Sequence, residues 1–127
     1  MAIFHGTADL PKFKNASITI GTFDGVHQGH KSILQALVAS ASASGGESVV
    51  ITFHPHPRKL LFPQQSLKVL TPLTEKLALL KASGIDHIVV VPFTEAFSNL
   101  SASAYIHDFL VANFHPTRIV IGYDHHF

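Results

Sequence analysis

Cysteine does not occur anywhere in the 127 residues. Its absence excludes disulfides and thiolate metal sites and is compatible with a reducing compartment. Charge is scarce too. Nine Lys and Arg stand against eight Asp and Glu, a formal net charge of +1 with histidines neutral. That balance leaves no electrostatic footprint for nucleic acid or an acidic membrane. Long hydrophobic runs are also missing. The longest apolar stretch, Ile88 to Pro92, fits a buried strand and falls well short of the roughly 18–20 residues of a membrane span. Met1 to Leu10 has no basic segment followed by a long apolar run, so no secretory signal is expected. The expectation is a cytoplasmic protein with no nucleic-acid or membrane partner. No repeats or linkers are evident.

What remains is 46% hydrophobic, enough in a chain of this length for one domain with a real core. Ten histidines make the charge sensitive to mild acid, but do not by themselves imply a metal.

Strand-like and helix-like segments alternate. Ala2-Ile3-Phe4 reads as a short edge strand, Asp9 to Asn15 as a polar loop, and Ala16 to Ile20 as the first core strand. A helix follows from about His30 to Ala43, with Ile33, Leu34, Leu37 and Ala41 on one face, and Gly45-Gly46 stops it. Ser48 to Phe53 is a β-branched strand. His54-Pro55-His56-Pro57-Arg58 then begins an irregular, proline-stiffened excursion to Lys68, of a length that is often functional. Thr71-Pro72 starts the next helix, Leu73, Leu77 and Leu80 form its apolar face, and Gly84 ends it. Asp86 to Val91 is a strand and Phe93 to Leu100 a loop. Ser101 caps a helix with Ala102, Tyr105, Ile106, Phe109 and Leu110 on one face. Thr117 to Ile121 is the last strand. This alternation predicts an α/β fold, a doubly wound parallel sheet covered on both faces. Right-handed crossovers would bring the loops after the strands to one edge.

The most informative stretch is Gly21-Thr22-Phe23-Asp24-Gly25-Val26-His27-Gln28-Gly29-His30. It joins a strand to a helix. Unpartnered backbone N–H groups at a helix N-terminus are a natural seat for phosphate. Gly21, Gly25 and Gly29 let the backbone approach a ligand without a Cβ between. His27 and His30, three apart, share one face of the first turn. Two imidazoles there could donate hydrogen bonds where charge grows during phosphoryl or nucleotidyl transfer. Asp24 sits at a strand's carboxyl end, where ligands of open α/β sheets gather. Read without these neighbours, the stretch is a glycine-rich turn with solvated histidines.

His-x-Gly-His directly after a strand resembles the signature of the nucleotidyltransferases related to class I aminoacyl-tRNA synthetases, which implies a Rossmann-like fold. The full string resembles the adenylyltransferase module of bacterial bifunctional FAD synthetase (riboflavin kinase/FMN adenylyltransferase). Three further segments match that family in order: Thr52 to Pro57, Leu70 to Lys76 and Ile121 to Phe127.

The resemblance implies adenylyl transfer from ATP to FMN, with ATP and FMN as substrates and Mg²⁺ as the accompanying ion. By position, His27, His30 and Asp24 would be catalytic. Gly21, Phe23, Gly25 and Gly29 would join both histidines in shaping the ATP site. Pro55, Pro57, Phe62, Asp124 and Phe127 would line the flavin side. No protein ligand for a metal is expected. His54, His56, His125 and His126 lack a fixed metal-ligand spacing, and the first two read rather as solvated loop residues. Two other readings stay open: a related transferase acting on pantetheine phosphate, and a non-catalytic nucleotide- or flavin-binding module. Residues 1–127 correspond to part of the adenylyltransferase domain. By the resemblance, its later phosphate-gripping segment and the riboflavin kinase domain are expected to lie outside residues 1–127. The expectation is little transfer activity for this length of chain and an apolar face beside the last strand that favours self-association.

Overall fold

The computed structural model describes residues 2–23, 28–54 and 73–121. Five strands form one parallel sheet in the order β1-β4-β3-β2-β5: β1 Ala2–His5, β2 Ser17–Ile20, β3 Ser48–Phe53, β4 His87–Val91 and β5 Arg118–Ile119. β2 and β3 are buried along their whole length, as expected of near-continuous apolar strands with helices on both sheet faces.

Side chains alternate between two cores, as the period of two in a strand requires. Ile18, Ile20, Val49, Ile51, Phe53, Val89 and Val91 face one core, which Phe109, Leu110 and Phe114 complete. Val50, Ile88 and Val90 face the other, with Leu34 and Leu37 of helix α1 (Gln28–Ser44) and Leu80 of helix α2 (Leu73–Ala82). The expected doubly wound sheet is therefore the one observed. The α1 stripe read from the sequence is buried at Leu34, Leu37 and Ala41.

α1 ends in a Schellman motif: Gly45 donates to the Ser42 carbonyl at 3.2 Å and Gly46 to the Ala41 carbonyl at 2.8 Å. Gly45 takes φ +68°, and a Cβ on Gly46 would fall 2.0 Å from the Asn15 carbonyl oxygen. At the amino edge of the sheet, Asp86 Oδ2 accepts from the Ser48 amide and hydroxyl at 2.9 and 3.1 Å. Nearby, Glu47 accepts from the Lys14 amide at 2.7 Å and pairs with His87 Nε2. The His87 ring packs on Phe13, with centroids 5.0 Å apart. Phe13, in the segment read as a polar loop, is thus a core residue, 6% exposed.

After β4 the chain departs from the sequence expectation. Phe93 to Leu100 is not simply a loop, because α3 (Glu95–Ser98) makes one turn there, with the Thr94 hydroxyl accepting from the Phe97 amide. Four residues are too few for periodicity to show. Ser101 caps α4 (Ala102–Ala104) as expected. The chain then widens into a π-helical segment, Tyr105–Val111, before α5 (Ala112–Phe114), and the Ala112 N–H reaches the His107 carbonyl five residues back. The wider winding brings Phe109, Leu110 and Phe114 into the core and turns Ile106 out to solvent, 45% exposed. Ile106 is therefore not on the buried face that a 3.6-residue period predicts.

β5 is also shorter than expected, two residues paired with Ser17 and Ile18 of β2. The chain runs β2, β3, β4 in one direction and then returns to lay β5 on the other side of β2. The switch point is thus between β2 and β5. In open α/β sheets, ligands bind in the crevice outside the carboxyl ends of the strands at such a point.

Candidate functional site

The glycine-rich stretch leaves the carboxyl end of β2, beside this switch point. Gly21 still belongs to the sheet's bonding, its N–H donating to the Ile51 carbonyl at 3.0 Å. The backbone then turns sharply: Phe23 has φ +54°. Left-handed backbone is uncommon for a bulky residue and costs on the order of 1–3 kcal/mol, so neighbours must hold it.

Three contacts do so. The Phe23 side chain is anchored in the core, 4% exposed, with Leu34, Leu37 and Leu80. Its ring folds back over Gly21, where an added Cβ would lie 3.1 Å away. The Thr22 carbonyl is fixed from below by two donors, Thr52 Oγ1 at 3.2 Å and Lys76 Nζ at 2.7 Å.

The turn delivers the chain into α1, seventeen residues with no acidic side chain in the first turn. Among the described residues of that turn, no carboxylate offsets the partial positive charge of the helix N-terminus. Gly29 and His30 lie in that turn. The imidazole of His30 meets the Phe23 ring edge-on at 5.4 Å, and its Nδ1 is buried. Of the residues expected at the nucleotide site, Gly21, Phe23, Gly29 and His30 fall within the described residues, between the end of β2 and the first turn of α1. Phe23 supports the site from the core side. Asp24, Gly25 and His27, and Pro55, Pro57, Phe62, Asp124 and Phe127 on the flavin side, lie outside the described residues.

Across the same edge, His54 continues β3 and donates its amide to the Val91 carbonyl at 3.2 Å. With His5, Gly6, Leu73, Val90 and Pro92 it borders an open cavity of about 280 Å³. Among the described residues no group of three or more His, Cys, Asp or Glu side chains is placed to hold a metal.

Lys76 lies beneath the glycine-rich loop, and the sequence reading gave it no role. It is 2% exposed. The signal was present: Leu73, Lys76, Leu77 and Leu80 recur at intervals of three, one and three, so a lysine occupies a place in the apolar stripe of α2. Its ammonium donates to Thr22 and, at 3.3 Å, to the Phe53 carbonyl. It thereby ties together the carboxyl ends of β2 and β3.

The chain is 38% identical over 112 residues to a bifunctional riboflavin kinase/FMN adenylyltransferase of Listeria monocytogenes, covering 87% of this chain and 35% of that protein. It is 34% identical to the Buchnera aphidicola protein of the same name, over 100% of this chain and 41% of the relative. With the Escherichia coli protein the identity is 33%, over 97% of this chain and 39% of the relative. The chain therefore spans about two-fifths or less of the length of these relatives. A crystal structure described as a macrolide-efflux protein from Streptococcus pneumoniae superposes with a TM-score of 0.85 at 23% identity, over 100% of this chain and 43% of that one. At that identity it shows a shared fold alone. The model of the FAD synthetase family matches residues 10–127, every strand but β1, and on that match the chain belongs to the FAD synthetase family.

Proposed function

We propose that this chain handles the nucleotide in FMN adenylyl transfer. An oxygen of the FMN phosphate attacks the α-phosphorus of ATP, the bond from that phosphorus to the bridging oxygen breaks, and diphosphate leaves as FAD forms. No protein nucleophile is required. The protein's part is positioning and stabilisation of charge. The observation that carries the reading is His30, set in the first turn of α1 against Phe23 at the carboxyl end of β2. That turn presents backbone N–H groups and an imidazole to a phosphate chain at the switch point. His27 and Asp24 complete this side in the reading, and Pro55, Pro57, Phe62, Asp124 and Phe127 the flavin side. Magnesium would travel with the ATP phosphates, and no step is routed through it.

The test is to incubate the complete gene product, and separately the 127-residue chain, with ATP, FMN and Mg²⁺, and to follow FAD and diphosphate. FAD formation by the gene product is the expected result. Transfer to pantetheine phosphate in place of FMN would overturn the choice of acceptor, and binding of either substrate without turnover would overturn transfer itself. Self-association belongs to the same reading. Ile119 and Ile121, at the open edge of the sheet, are 41% and 62% exposed. Light scattering of the chain should show species larger than 13.8 kDa, and a monomer at all concentrations would count against it.

A further inference from the structure

We propose that Lys76 is a positioning residue for the nucleotide, acting through the Thr22–Phe23 peptide; this rests on the adenylyl-transfer reading above. An ammonium buried on the apolar stripe of a helix is costly unless hydrogen-bonded. Packing alone would favour an aliphatic side chain there. What the lysine accomplishes is specific. With Thr52 it holds the Thr22 carbonyl inward, on the β3 side of the loop. A trans peptide carries its N–H opposite its carbonyl. The Phe23 N–H is therefore turned away from Thr52 and Lys76. The same two bonds stabilise the left-handed backbone of Phe23, whose ring supports His30. Lys76 thus fixes three features at once: the direction of a backbone donor, the strained turn and the seat of the imidazole. It also places a positive charge beneath the loop, in surroundings less polar than water, where it favours an anionic ligand above.

The contact with the Phe53 carbonyl extends the role. Phe53 ends β3, and His54 begins the segment expected on the flavin side. One side chain therefore ties the nucleotide loop to the base of the acceptor loop.

The test compares Lys76→Met and Thr52→Val with wild type in the complete gene product. Three quantities are measured: ATP affinity by titration, KM for ATP and FMN with kcat, and the melting temperature. Methionine keeps the length of the side chain and removes a buried charge. Both variants should weaken ATP affinity, Lys76→Met by about tenfold or more, the scale of a hydrogen bond to a charged group, and Thr52→Val by less. KM for FMN should stay within about twofold in Thr52→Val, and in Lys76→Met, which also releases the Phe53 carbonyl, it should rise by clearly less than ATP affinity falls. Unchanged ATP affinity in both variants overturns the proposal. So does an equal loss for ATP and FMN that tracks the melting temperature, which marks a structural role. Should Lys76→Met fail to fold, Thr52→Val decides by the same criteria. ATP binding by a wild type that forms no FAD removes the adenylyl-transfer reading, and the titrations still judge Lys76. A wild type that binds no ATP overturns both.

Discussion

The rings of Phe23 and His30 meet edge-on, with centroids 5.4 Å apart and planes at 63°. A core residue at the end of β2 thus supports an imidazole on α1, and the site inherits the rigidity of the core. His30→Ala should lower adenylyl transfer by about 10²–10³-fold, the cost of losing one preorganised donor. FMN affinity and melting temperature should change little. Gly21→Ala, pushing a Cβ against the Phe23 ring, should lower transfer without touching any polar group. Turnover, FMN titration and thermal melts on both variants check this, and near-normal turnover in His30→Ala would remove the imidazole from the mechanism.

On the flavin side, Phe62→Ala and Phe127→Ala should weaken FMN binding by about 1–3 kcal/mol each, the apolar contact of a buried ring, with ATP affinity little changed. Parallel titrations with the two ligands measure the contrast. Equal losses for both would point to a role in folding.

Glu47 makes stability depend on pH. The Lys14 amide donating to its carboxylate, and then the His87 pair, hold Glu47 below its ordinary value of 4.5. The folded state therefore binds this proton less readily than the unfolded chain. Its contribution is fully present above the ordinary value and is lost as pH falls through the lowered folded value. Melting temperatures from pH 7 down to pH 3 should fall more steeply for wild type than for Glu47→Gln. The variant should already be the less stable protein at neutral pH. Parallel curves would show that the carboxylate contributes nothing in the charged form.

Two adjacent glycines should respond differently to alanine. Gly45→Ala meets open space but must hold φ +68°, at a cost of about 1–2 kcal/mol. Gly46→Ala would drive a Cβ to 2.0 Å from the Asn15 carbonyl oxygen, so backbone must move, at a cost of about 3 kcal/mol or more. Denaturant unfolding of the two variants gives the order, and a reversed order would mean that the loop at Asn15 yields easily.

The fold was legible wherever burial is periodic. Val and Ile runs marked β2, β3 and β4, and Leu34, Leu37 and Ala41 marked the buried face of α1. Gly45-Gly46 announced the end of that helix through its own chemistry. Legibility failed where structure is short or the winding changes. The four-residue α3 was hidden inside Phe93 to Leu100, and the π-helical segment moved Ile106 outward because its period is not that of an α-helix. The glycine-rich loop stands out as a string, since the proposed phosphate chemistry calls for its glycines and histidines. Lys76 could not be read that way. Its meaning depends on where the Thr22 carbonyl points, which only the folded chain shows.

The order of strands has a consequence for how the molecule forms. Ser17 of β2 pairs with Ser48 and Val49 of β3 with His87, at moderate separations along the chain. Ala2 pairs with His87, and Ser17 with Arg118, across far longer ones. Closing long loops is entropically slower, so β2, β3 and β4 should zip together first and both edges dock afterwards. Pulse-labelled amides of β1 and β5 should gain protection after those of β3, and simultaneous protection would refute the order. The crevice proposed for the nucleotide lies between β2 and β5, one from the nucleus and one among the last to arrive. During synthesis the glycine loop and His30 leave the ribosome well before Arg118 and Ile119, and the crevice beside β2 is complete only once the distant strand has docked.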